Sequence, residues 1–350
     1  MIKKITSAVF AIFSIASLFA YNPPAGGQNL FRISSPELLS GANSTCGGGF
    51  YSVSTDSVVN NPALTAFEQR VILNASGSLF FDGKDESGDT LGGAFEVGAL
   101  IPSRWYVYSF MVQGVFVPFY DMHLGNTVTF NANVSKDFND KLSVGLGANI
   151  GVSFGNDSDW MGGFNMGAFY NFGDFSFLKD IRFGTALLNL GKSLKNTNLV
   201  GITGEKAEYW PSIATFSTGA AAVLLDTKQF DIATSVDFSF PSFMNFVFDA
   251  GLQFMIFDIV KLSTSWEFDA KEFSNGHKNI IPSVGLSFKF TFSSKDGSLL
   301  ANKGWQESEI TVGATWRQLY KNINAVSAGA KLNLGLEDTQ APQIILWDQE

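Results

Sequence analysis

Residues Leu142 to Phe154 read LSVGLGANIGVSF, so Leu, Val, Leu, Ala, Ile, Val and Phe alternate with Ser, Gly, Gly, Asn, Gly and Ser. Strand side chains change face at every residue, and this is period-two amphipathicity in nearly pure form. One face is wholly apolar; the other is small and polar, without charge. A soluble sandwich usually carries Lys, Glu and Thr on its polar face. Gly, Ser and Asn instead suit the crowded or watery inside of a closed barrel whose outside meets lipid.

The pattern recurs. From Phe67 onward the alternation and intervening turn residues predict fourteen strands, near 68–81, 92–101, 105–116, 127–136, 141–154, 162–172, 181–190, 212–225, 229–240, 244–257, 259–269, 281–292, 309–319 and 323–335. Val128, Phe130, Ala132 and Val134 oppose Thr127, Thr129, Asn131, Asn133 and Ser135. Val284, Leu286, Phe288, Phe290 and Phe292 oppose Ser283, Gly285, Ser287, Lys289 and Thr291. The second, third and eighth strands are the weakest, which leaves twelve or sixteen as alternative counts. The fold class expected is all-β: a transmembrane antiparallel barrel of about fourteen strands.

Composition agrees. Charged residues make up 16% of the chain, and Phe, at 35, equals Gly; an ordinary soluble chain has about 25% charged residues. No stretch after the N-terminus offers the roughly twenty uninterrupted apolar residues of a spanning helix. The nearest, 242–260, is interrupted by Asp249 and Asp258. Only helices and closed barrels satisfy every backbone group in lipid. Residues 1–20 read as a cleaved secretory signal, with Lys3 and Lys4 ahead of an apolar run that ends at Ala20. The exported chain then carries 21 basic against 32 acidic residues, which disfavours a nucleic-acid partner. Its single cysteine, Cys46, leaves no intramolecular disulfide and reads as a small packed residue.

An even strand count puts both ends of the barrel chain on the periplasmic side. The connections 82–90, 119–126, 155–162, 191–211 and 270–279 are then extracellular, and 102–104, 137–140, 226–228 and Asp258 form short periplasmic turns. Two longer connections, 175–180 and 293–308, fall on the periplasmic side against that trend. Trp105, Trp160, Trp210, Trp305, Trp316 and Trp266, with Tyr106, Tyr170 and Tyr320, sit near strand ends, where amphipathic rings form girdles at the lipid boundary.

Ahead of the first strand, residues 21–66 have no sustained period but are rich in Phe, Tyr and Val, and are expected to form an N-terminal plug, or hatch, inside the barrel. Asn60-Asn61-Pro62-Ala63 predicts a rigid turn. Gly48-Gly49, Phe50-Tyr51, Asp56 and Asn61-Pro62-Ala63-Leu64 together resemble the N-terminal signature of the FadL family of outer-membrane transporters of hydrophobic compounds. In length, signal and short loops the chain looks most like the FadL-related barrels of spirochaetes. The resemblance implies that Gly48, Gly49, Asp56, Asn61, Pro62 and Ala63 lie in a plug near the ligand path. It further implies energy-independent uptake, in which the ligand enters from outside, binds an apolar pocket and leaves through the wall after the plug shifts.

Strand parity turns Asp237, Asp249, Lys261, Glu267, Lys289 and Arg317 toward the lumen, along with Glu96, Arg182, Asp231 and Lys331. Charges at membrane depth are costly against lipid, so these are expected to pair within the barrel; a ligand-headgroup role for Arg317 or Lys289 is the alternative. Enzymatic chemistry finds little support. His123 and His277 stand in no nucleophile motif, no metal or phosphate motif appears, and Asp157-Ser158-Asp159 lacks calcium-loop spacing. The sequence thus predicts a monomeric, non-enzymatic barrel without cofactor or metal. It comprises a signal (1–20), a plug (21–66), a barrel (67–336) and a periplasmic tail (337–350). It would be inserted in outer-membrane lipid by the barrel assembly machinery, serving passive, plug-gated uptake of a hydrophobic ligand such as a fatty acid. A general diffusion porin, or a structural, secretion-associated or adhesin barrel, is the alternative.

Overall fold

The computed structural model describes residues 31–81, 91–116, 126–154, 158–194, 197–198, 206–207, 213–274, 281–302, 305–319 and 323–335. The proposed signal, the first ten residues of the proposed plug, the whole tail, both histidines, Trp210 and Tyr320 lie outside them.

Fourteen strands form one closed antiparallel barrel. They are β1 (Val71–Phe81), β2 (Leu91–Pro102), β3 (Val107–Phe116), β4 (Asn126–Asp137), β5 (Leu142–Phe154), β6 (Asp159–Phe175), β7 (Leu178–Lys192), β8 (Thr215–Leu225), β9 (Phe230–Phe240), β10 (Val247–Ile256), β11 (Val260–Asp269), β12 (Val284–Ser293), β13 (Glu307–Gln318) and β14 (Asn324–Leu334). Each pairs with its neighbours in sequence, and β1 closes on β14 with Val71 opposite Leu334 and Phe81 opposite Asn324. No helix among the described residues is long and apolar enough to cross a membrane.

The alternation sorts the side chains as the sequence implies. On β5, Ser143, Gly145, Asn149 and Ser153 are buried inside while Leu146, Ile150, Val152 and Phe154 are exposed outside. The outer face is a continuous apolar surface. Cross-strand rings cover it, Phe110 against Phe130 on β3 and β4, and Phe238 against Phe248 on β9 and β10. An apolar surface of this extent belongs in hydrocarbon, not water. Trp105, Tyr106 and Tyr170 are exposed toward the end carrying the start of β1, and Trp160 and Trp266 toward the other. We call these the terminal end and the distal end.

One expected connection is corrected. Residues 175–180 are not a long loop: β6 runs to Phe175, β7 starts at Leu178, and only Ser176 and Phe177 turn between them. The register of β6 slips twice around Gly173, whose φ is +87°. Each slip moves side chains to the opposite face, so the alternation that marks a strand is lost although the pairing continues.

Candidate functional site

The lumen is occupied by chain. Residues 31–67 run inside the barrel as a short helix, α1 (Pro36–Leu39), and two 3-10 turns, Thr55–Val59 and Pro62–Phe67. Ser35 caps α1, its hydroxyl accepting from the Leu38 N–H, and Pro36 presets the first helical φ. Asn61 caps the second turn in the same way, accepting from the Ala63 N–H at 2.9 Å, with Pro62 at the first position.

The segment fits because the wall withholds side chains where its backbone approaches. A Cβ on Gly145 would strike the Pro62 carbonyl, one on Gly167 the Asn61 side chain, and one on Gly184 the Thr45 carbonyl. The three glycines belong to β5, β6 and β7. Apolar contacts hold the two ends of the segment. Phe31, Ile33 and Leu39 join Phe80, Val115, Met161 and Leu319 toward the distal end. Tyr51 and Val53 join Ile72, Leu100 and Val107 toward the terminal end.

Across β4 to β6 the bonds are neutral. The Asn61 amide donates to the carbonyls of Thr45 at 2.9 Å and Ala168 at 3.0 Å. Asn133 donates to the Pro62 carbonyl at 3.0 Å, Ser143 to the Ala63 carbonyl at 3.0 Å, and Thr65 and Ser135 share a bond at 2.7 Å. The Asn61, Pro62 and Ala63 trio is thus a buried turn pressed on the wall.

Across β9 to β14 charge takes over. Asp237, Asp249 and Glu267 face one another in register on β9, β10 and β11. Like charges directly opposite repel, and cations and donors are set among them. Arg317 pairs with Glu267 at 2.9 Å, Arg32 of the segment with Asp249 at 3.4 Å, and the Thr45 N–H donates to Asp237 at 3.0 Å. Lys261 reaches Glu37 on α1 at 2.6 Å. Burial works against the charge of Glu37, but Lys261 and Lys331 outweigh it and hold the carboxyl below its ordinary range. Lys289 stands apart, exposed at the terminal end.

The glycine run sits between the halves. Gly47 and Gly48 have φ of +79° and +86°, which only glycine adopts freely. Arg182, wholly buried on β7, donates to the carbonyls of Cys46 and Gly49 and lies over the Tyr51 ring. Phe50 N–H donates to Gln253 at 2.8 Å. Burial, then the charge of Asp237, pushes the Cys46 thiol up to about 12, so it stays protonated and inert. Asp56 accepts from the Ser35 hydroxyl and is raised by burial.

One wall seam has a short ladder and meets the segment. The ladder between β11 and β12 covers only Val260–Ser263, against ten or more residues at most other seams. Beyond it the hydroxyls of Ser265 and Ser283 both donate to the Ser40 carbonyl at the end of α1. Ser40 and Glu37 carry no motif of their own. Their sequence signal is the Ser-Ser-Pro-Glu start of α1, a helix N-terminus in a region otherwise without period.

No family model matches the sequence, and no curated protein matches it. Among solved structures, CymD, a monoaromatic hydrocarbon channel, superimposes with a TM-score of 0.51 at 11% identity, over 89% of this chain and 100% of that one. The chain shares the fold of CymD. The Pseudomonas putida toluene transporter TodX gives 0.49 at 9% identity, over 88% and 100% of the two chains. A Pseudomonas aeruginosa FadL homologue gives 0.47 at 10%, over 86% and 97%.

Proposed function

We propose that the protein is a FadL-related outer-membrane barrel, nearest the spirochaete group, for passive uptake of hydrophobic small molecules, with residues 21–66 as its plug. The observation that carries this reading is the seated segment itself. A diffusion porin needs an open lumen, whereas here a folded stretch of chain lies across it, fitted to missing side chains on β5 to β7. A solute can pass only if that stretch shifts. Hydrophobic compounds gain about 25 cal/mol for each Å² they bury, yet are obstructed by the polar surface of the outer membrane, so a gated protein route is physically sensible. The fold shared with a monoaromatic hydrocarbon channel supports the same substrate class. In this reading the terminal end faces the periplasm.

Planar-bilayer recording tests the gate. The intact barrel should show small, intermittent conductance, and a version lacking residues 21–66 a large, steady one. A large conductance in the intact protein, unchanged by the deletion, would make it a porin. Mass spectrometry of amphiphiles retained on purification separates transport from a purely structural role.

A further inference from the structure

The terminal end holds a cavity of about 240 Å³ between the foot of the N-terminal segment and strands β10 to β14. It is smaller than the roughly 300–1,000 Å³ that encloses a drug-sized ligand, and suits a few inserted side chains. Phe50, Val53, Phe67, Met255 and Ile259 give it an apolar wall, and the charged lining is Arg70, Lys261, Lys289 and Lys331 with Glu68, Asp258 and Glu309. Two of these cations are already used. Arg70 pairs with Glu68 at 2.9 Å and Glu309 at 2.6 Å, and Lys261 pairs with Glu37. Lys331, whose charge also acts on Glu37 from beyond ion-pair distance, donates to neutral oxygens, Ser52 Oγ and the Val53 carbonyl, both at 3.1 Å. Among the described residues, no carboxylate lies within ion-pair distance of Lys289 or Lys331. With Glu68 and Glu309 on Arg70 and Glu37 on Lys261, the two remaining lysines outnumber the remaining lining carboxylate, Asp258, so the site suits an occupant that is both acidic and apolar.

Such an occupant is tethered beside it. β14 lines the cavity with Lys331 and Asn333, and two residues later the Gly335 N–H donates to Ser308 at 3.2 Å. Residues 336–350, LEDTQAPQIILWDQE, follow directly. They carry Glu337, Asp338, Asp348 and Glu350 with no Lys or Arg, around the apolar run Ile344-Ile345-Leu346-Trp347. The eleven residue-to-residue steps from Gly335 to Leu346 reach up to about 36 Å when extended, ample to turn back into a cavity that starts at Asn333. We propose that residues 336–350 of this same chain dock there, the apolar run against Phe50, Phe67 and Ile259, and the flanking acids on Lys289 and Lys331. Docking would brace residues 50–53 from below. It does not depend on what the barrel transports.

A cysteine pair tests it in the full-length folded barrel. Leu346→Cys is combined with Thr311→Cys on the cavity wall; native Cys46 is buried and does not compete. Mild oxidation should convert the protein to an intrachain disulfide, seen as a mobility shift on a non-reducing gel. Adding Lys289→Glu should cut the yield by about fivefold, the upper scale for one exposed ion pair, and Asp348→Lys should restore it. Lys289 has no partner to lose, so this variant folds, as heat-dependent gel mobility will show. A yield no higher than that of Leu346→Cys with Ser153→Cys, near the distal end, overturns the proposal. So do disulfides formed mainly between two molecules, which would assign the cavity to a second copy.

Discussion

The two halves of the lumen hold the same segment by different means. Along β4 to β6, Asn61, Pro62 and Ala63 meet amides, hydroxyls and missing side chains. Along β9 to β14, residues 32–45 meet Asp237, Asp249 and Lys261, beside the wall's own Arg317–Glu267 pair. Neutral bonds and close packing depend little on pH or salt. Buried ion pairs cost desolvation and stabilise only while every partner is present. The neutral half therefore acts as a fixed seat, and the charged half as the side on which a change of charge loosens the segment. Under the uptake reading, that is where a gate would begin to move.

The sharpest way to break this comparison is to remove one charge. Arg317→Met removes the cation paired with Glu267, which is only 5% exposed, and should cost about 3–5 kcal/mol in denaturant unfolding. Arg317→Met with Glu267→Leu should recover most of it, because the buried carboxylate goes with its cation. Equal losses in the single and double variants would mean that the pair contributes packing alone.

A smaller effect is expected at the neutral seat. Gly145→Val places side-chain atoms in the Pro62 backbone, which cannot rotate away, and overpacking of this kind costs about 1–3 kcal/mol. Gly285→Ala on the charged half meets the Thr315 hydroxyl, which can rotate, and Ser40 Cβ at ordinary contact distance. Cys46, the chain's single cysteine, reports the difference, since its thiol is buried while the segment is seated. Maleimide labelling should accelerate by about tenfold to a hundredfold in Gly145→Val and hardly at all in Gly285→Ala. Similar rates would show that the seat is no tighter than the charged side.

The wall was legible in the sequence because a half-buried strand writes its geometry at period two. β5 and β12 could be read residue by residue. The β6–β7 turn could not, because the slips around Gly173 erase the period while keeping the hydrogen bonds. Parity also tells which side of the wall a charge faces, but not whom it meets. Lys261 and Glu37 stand 224 positions apart, and their pairing depends on the path of an aperiodic segment through the lumen. The inward glycines are the trace of that path in the wall. Gly145, Gly167 and Gly184 mark where backbone passes close, although nothing in their spacing says that Pro62, Asn61 and Thr45 are what passes.

The smallest expected effect, and the one that bears most on gating, comes from pH. Glu37 has a folded pKa below its ordinary value of 4.5, so the folded protein binds the proton less readily than the unfolded chain. Its pairing with Lys261 therefore contributes stability that is fully present above about pH 4.5, the unfolded value, and is lost as pH falls through the folded pKa. Asp56 acts in the opposite sense. Burial raises its pKa, so acidification relieves a cost there, and the two partly cancel in global stability. Labelling of Cys46 carries the separation. Preincubation at acid pH with labelling on return to neutrality traps any segment that re-seats slowly, and Glu37→Gln should abolish the acid-induced part while Asn133→Ala leaves it unchanged. An acid response that survives Glu37→Gln would place the loosening at the neutral seat and reverse the assignment of the two halves.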